Sequence, residues 1–116
     1  MNRKVLIPLL DENVAPRFDL ATDVLIAVTD GRGAVRERKL LIMPQGSAEK
    51  LCQLVITEQV GTVICGGIEE EHYDYLTWKQ VRVIDNVIGA GETALQQLGR
   101  NRLKNGDVLA MAAEGK

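Results

Sequence analysis

Residues 4–10, KVLIPLL, form a near-continuous apolar run of strand length, the pattern of a central strand buried on both faces. Pro8 cannot donate a ladder hydrogen bond, so the strand is expected to end or bulge near it. Residues 11–19 are polar and broken by Pro16, which predicts a loop at the strand's carboxyl end, where α/β folds place ligands. Phe18 is the only phenylalanine and is expected to plug this loop onto the core. A helical turn at 20–23 precedes a second strand at 24–29 (VLIAVT). The turn Asp30-Gly31-Arg32-Gly33 then predicts a β-hairpin. Its return strand, 34–43, has a charged first half that marks an exposed edge. Residues 44–47 end the hairpin, and Ser47 suits the N-cap of a helix running to about 59. Ala48, Leu51, Cys52, Val55 and Gln59 share one face of it. Gly61 closes that helix before a fourth strand at 62–64, which stops at Cys65-Gly66-Gly67. Residues 69–79 read as a helix with Glu69, Glu70 and Glu71 at the positive end of its dipole. A fifth strand at 81–84 leads through Gly89-Ala90-Gly91 to a last helix at 92–103, with Ala94, Leu95 and Leu98 inward. The stretch 108–116 is expected to fray.

This order of elements predicts an α/β fold: a mixed sheet of five strands with helices on both faces and at least one antiparallel member. If strands one, four and five are parallel, the loops after them open on one edge of the sheet. The chain of 116 residues, 46% hydrophobic and 26% charged, suits a single domain over 1–116, with its core at about 4–103 and a tail at 104–116. A net charge of -2 offers no basic field for phosphate backbones, which argues against nucleic acid. No apolar run approaches the ~20 residues of a membrane helix, and no signal-peptide pattern precedes the first strand. A cytoplasmic protein without membrane association is expected, with Cys52 and Cys65 as thiols.

The sheet edge collects the chemistry. Glycines at 66, 67, 89 and 91 let backbone N–H groups approach a ligand, and a helix N-terminus adds partial positive charge. The result is a general anion pocket, although tight strand-to-helix turns need the same glycines. A cysteine beside exposed N–H groups is expected to have a lowered pKa and to act as a soft metal ligand; the alternative for Cys65 is a buried strand-end thiol. His72, the sole histidine, lies one helical turn from it. Cys65 and His72 are therefore the candidate metal ligands, with a packed, hydrogen-bonded histidine as the alternative. Tyr73, Tyr75 and Trp78 serve either packing or a partner surface. Asp11, Asp19, Asp23 and Glu69 to Glu71 could supply a two-metal hydrolase, but scattered acids usually make a solvated surface. One histidine cannot sustain a serine or cysteine triad on this pattern.

The segments IPLLDENVAPRF, VICGGI and VIDNVIGAGETAL, in this order, resemble the dinitrogenase iron-molybdenum cofactor biosynthesis family over about 4–103. The resemblance implies a three-layer α/β/α, RNase H-like fold with a five-stranded mixed sheet. It implies a small non-enzymatic carrier or accessory protein of nitrogen fixation that binds an iron-molybdenum or related metal-sulfur cluster, or its precursor, loosely. Partners would be metal-cluster biosynthesis or recipient proteins, and the chain a monomer or weak dimer. Residue by residue, Pro16, Arg17, Phe18, Cys65, Gly66, Gly67 and Gly89 fall on cofactor-binding positions. The family's first loop resembles VAPHFGRA, so Arg17 stands where that pattern has histidine and Asp19 where it has glycine. A guanidinium cannot ligate a metal, though it can pair with an anion. Glu69 to Glu71 replace glycine and small residues, and oppose an anionic cargo. These departures favour the alternative, a regulatory or protein-interaction module that keeps the fold and has lost the cluster.

Overall fold

The computed structural model describes residues 2–43 and 47–112; the turn expected at 44–46 and the last residues of the tail, 113–116, lie outside them. Strand β1 (Arg3–Leu10) is the centre of the sheet, and Val5, Leu6 and Ile7 are each 0% exposed. Pro8 does not interrupt it. Its carbonyl accepts from Ala15 N–H. Because the N and C=O of one residue point the same way in a strand, its donorless nitrogen also faces that side, beyond the last residue of the parallel neighbour.

Strand β2 (Asn13–Val14) folds back antiparallel on Leu9 and Leu10. A short 3-10 turn follows at Phe18–Leu20. Strands β3 (Asp23–Thr29) and β4 (Val35–Ile42) form the expected antiparallel hairpin, and β3 also lies antiparallel to β1. Strands β5 (Thr62–Ile64) and β6 (Arg82–Ile84) run parallel to β1. The order across the sheet is β4-β3-β1-β5-β6, with β2 attached to the end of β1. The sheet thus has six strands where five were expected; two residues inside a polar loop are too few to show a period.

Alternation along β1 divides the core between two faces. Leu6, with Val24, Ile26 and Val63, packs against Leu51 and Val55 of α1 (Ala48–Thr57) and Leu76 of α2 (Glu70–Trp78). Val5, Ile7 and Leu9, with Leu25 and Ile64, pack against Ala94, Leu95 and Leu98 of α3 (Gly91–Gly99). Ser47 caps α1 as expected, its Oγ accepting from Lys50 N–H at 3.3 Å. Helix α3 is shorter than its sequence pattern: Asn101 turns left-handed at φ 58 and ends the run, though Leu103 stays buried. The charged half of β4 is exposed, and Arg36, Arg38 and Lys39 pair with Asp30, Glu92 and Glu58.

The described part of the tail does not fray. Val108 bridges to Ile88 as an added strand segment, Leu109 N–H donates to Ile88 C=O at 2.7 Å, and Ala90 N–H donates to Ala110 C=O at 2.9 Å. Ala112 N–H reaches Asn13 Oδ1 at 2.6 Å, and Leu109 packs against the α3-side core. The loop 88–90 presents backbone groups that need partners, and the tail supplies them. Among the described residues, no helix is long and apolar enough to cross a membrane.

Candidate functional site

Because β1, β5 and β6 are parallel, the loops that follow them emerge on one edge, and there they bond to each other. Gly67 N–H donates to Pro16 C=O at 2.8 Å, and Phe18 N–H donates back to Gly67 C=O at 2.7 Å. Asn86 N–H donates to Gly66 C=O at 3.0 Å, and Val14 N–H to Gly89 C=O at 2.8 Å. These contacts explain the glycines. A Cβ on Gly66 would lie 2.3 Å from Ala15 O and 2.6 Å from Pro16 O, and Gly89 holds φ +130 with Leu109 against it. Close approach of backbone to backbone is therefore a sufficient reason for both.

The loops leave two cavities, and the predicted site residues divide between them. The first, of about 330 Å³, is lined by Arg17, Phe18, Asp19, Gly67, Glu69 and His72 among others. The second, of about 340 Å³, is lined by Pro16, Gly66, Gly67, Asn86, Gly89 and Met111 among others. Gly67 is common to both. Cys65 lines neither. It is 0% exposed within the core that faces α1 and α2, and its N–H donates to Ile84 C=O at 2.9 Å.

Burial pushes the Cys65 thiol up to about 12, and the carboxylate of Asp85 adds to the rise. The expected lowering is thus reversed. The cost of removing a thiolate from water exceeds whatever the neighbouring N–H groups return. Cys52 is also a free, buried thiol, raised by burial and then by Glu49.

In the first loop, Arg17 Nη2 lies 3.0 Å from Asp19 Oδ2, with both side chains exposed. The two departures from the family's loop pattern therefore pair with each other. Phe18 is 2% exposed and fastens the loop to the core. His72 lines the first cavity and is largely packed: its side chain is 14% exposed, Nε2 is 3.8 Å from Glu69 Oε1, and its ring stands 6.4 Å from that of Phe18. Glu69, Glu71 and His72 offer ligand atoms within 4.8 Å of one another. Among the described residues this is the only group of three or more histidines, cysteines or acids that converges in this way. Asp11, Asp19 and Asp23 are not part of it.

Asn86 and Met111 were not singled out from sequence. Asn86 has φ 58, a conformation asparagine tolerates better than most residues, and its place after a buried strand was the available signal. Met111 carries no such signal, since it reaches the cavity only because the tail docks.

No protein-family model and no curated protein matches this sequence, but solved structures match its fold. PH0822 superposes with a TM-score of 0.78 at 19% identity, covering 88% of this chain and 93% of that one. A candidate dinitrogenase from Methanocaldococcus jannaschii gives 0.71 at 20% identity, covering 90% and 94%. A candidate NifB protein from Thermotoga gives 0.69 at 20% identity, covering 97% and 99%. The likeness at these identities is one of fold.

Proposed function

We propose that this protein is a small, non-enzymatic carrier or accessory protein of metal-sulfur cofactor assembly. Its cargo is an iron-molybdenum or related metal-sulfur cluster, or a precursor, held loosely between the first loop and the amino end of α2. The observation that carries the reading is the convergence of three segments remote in sequence, the loop after β1, the start of α1 at Ala48 and the continuous stretch from Gly67 to His72, on one cavity lined by the only histidine. The fold shared with the candidate dinitrogenase and NifB proteins supports it. We read the architecture as the three-layer RNase H-like arrangement, supported by the helices on both faces of a mixed sheet.

The donor set fits cargo attached at one point and does not fit a cluster held by four thiolates. His72 supplies one imidazole, and the Arg17 guanidinium stands at the same cavity to meet anionic sulfide or carboxylate groups. Cys65 is protonated and enclosed, so in this reading it supports the turn and does not ligate. Free Cys52 and Cys65 are in keeping with a cytoplasmic setting, and partners would be proteins that make or receive the cluster.

The second reading is an interaction module that has kept the fold without the cargo. It is favoured by the Arg17–Asp19 pair, which spends the loop's cation internally, and by the sealed Cys65. Anaerobic mixing with isolated cluster, followed by gel filtration and metal analysis, separates the two. A carrier elutes with broad visible absorption and bound metal, and His72→Ala weakens its affinity for the cluster at least about tenfold, the scale on which even outer-shell partners of a metal act, while Cys65→Ala does not. A colourless protein with metal at background overturns the carrier reading in favour of the module.

A further inference from the structure

Helix α2 is the least anchored of the helices, burying only Leu76, whereas α1 buries Leu51, Cys52 and Val55. Its outer surface carries Glu70, Glu71 and Asp74 together with Tyr75 at 40% exposure and Trp78 at 74%. Between α2 and α1 runs an open groove of about 690 Å³, lined by Glu49, Cys52, Ile56, Glu71, His72 and Tyr75 among others. Ile56, at 38% exposure, joins Tyr75 as apolar surface, and the Trp78 ring, beside the groove without lining it, stands 6.4 Å from that of Tyr75.

We infer that this groove docks an amphipathic helix of a partner protein, apolar on the seated face and carrying lysine or arginine along its flanks. Three independent features point to that chemistry. First, the walls are acidic on both sides, with Glu49 on α1 and Glu71 on α2, reinforced by Glu70 and Asp74. Lys50 is the one lysine or arginine within the two helices, and Lys79 follows at the C-cap of α2. A cationic flank is therefore attracted where it passes Glu49 and Glu71, and an anionic one repelled there. Second, the aromatic pair accepts cations. Lys79 Nζ already lies 4.9 Å from the centroid of Trp78 and 5.8 Å from that of Tyr75, a placement that a partner's lysine or arginine can take over. Third, α1 spans 10 residues, about 15 Å at helical rise, which seats roughly three turns of a helix presenting apolar anchors at i, i+3 and i+7. Tyrosine and tryptophan are rigid side chains suited to such anchoring. His72 lines both this groove and the first loop cavity, so a docked helix would lie at the lip of the candidate site. The docking itself does not depend on what that cavity holds.

The sole tryptophan makes the test direct. The full chain is titrated with a synthetic helical peptide of leucine on one face and lysine on the other, and with its counterpart in which glutamate replaces every lysine. The lysine peptide should shift Trp78 emission to shorter wavelength with saturation, and the glutamate peptide should not. Glu49→Lys combined with Glu71→Lys should weaken the lysine peptide at least about tenfold, as expected for reversing two charges at a contact. Circular dichroism checks that the fold is kept. If that variant does not fold, Glu49→Gln with Glu71→Gln and a salt series from about 50 to about 500 mM decide the matter, both of which should weaken binding. Absence of a saturable shift, equal response to both peptides, or affinity indifferent to the charge changes overturns the proposal.

Discussion

Cys65 is where residue identity and residue behaviour part. A thiol at the end of an apolar strand, followed by two glycines, has the look of an exposed ligand, yet it lies in the core that faces α1 and α2 and is 0% exposed. The consequence is a pH dependence of known sign. The thiol titrates near 9.0 when unperturbed and is raised to about 12 in the fold. Below about 9 both states hold the proton and the contribution to stability is complete. Between about 9 and about 12 the unfolded chain releases its proton while the folded chain keeps it, so stability falls as pH rises. The urea midpoint of the native protein should therefore drop more steeply from pH 9 to 11 than that of Cys65→Ala. Parallel pH profiles would show the thiol to be solvated. Cys65 as a candidate was legible in the sequence; its enclosure was not, because the core it joins is built from residues remote in the chain, among them Ala15, Phe18 and Leu51.

Among the elements, α1 and α3 were legible because their apolar stripes follow the helical period. Of the residues assigned to the inner face of α1, Leu51, Cys52 and Val55 are buried, whereas Ala48 is half-buried and Gln59 lies past the helix end, exposed at φ 58; in α3, Ala94, Leu95 and Leu98 are buried as assigned. Strand β2 was not legible, since two residues carry no period and the pairing depends on β1 turning back through Asp11 and Glu12, both at positive φ. Helix α2 stands between these cases: its position could be read, but Leu76 is its one fully buried side chain, with Tyr73 packed partly buried against the same core. Leu76→Ala should destabilise the protein by about 2–5 kcal/mol, and amide hydrogen exchange should show α2 losing protection before α1 or α3. Exposed Thr77→Ala on the same helix should change stability by no more than about 0.5 kcal/mol. Equal effects would mean that α2 is held by contacts other than its single buried leucine.

For the molecule as a whole, the tail and the first loop are a single structure. Residues 107–112 bond to Ile88, Ala90 and Asn13, so they brace the second cavity and the β1–β2 turn together. Ending the chain after Lys104 should lower stability by about 2–4 kcal/mol, from several backbone hydrogen bonds at about 1 kcal/mol each, measured by urea unfolding. A truncated chain as stable as the full one would make the docked tail dispensable. What the sequence by itself determined is the class of fold, the place of β1 at its centre and the edge where the loops gather, because side-chain period and turn chemistry act over a few neighbouring residues. Tertiary structure alone decided which groups at that edge can meet a ligand. It withdrew Cys65 into the core, paired Arg17 with Asp19, left His72 at a cavity wall and brought the tail in to close the loops. Solvation and backbone pairing depend on segments far apart in the chain, and those distances are set only when the sheet is assembled.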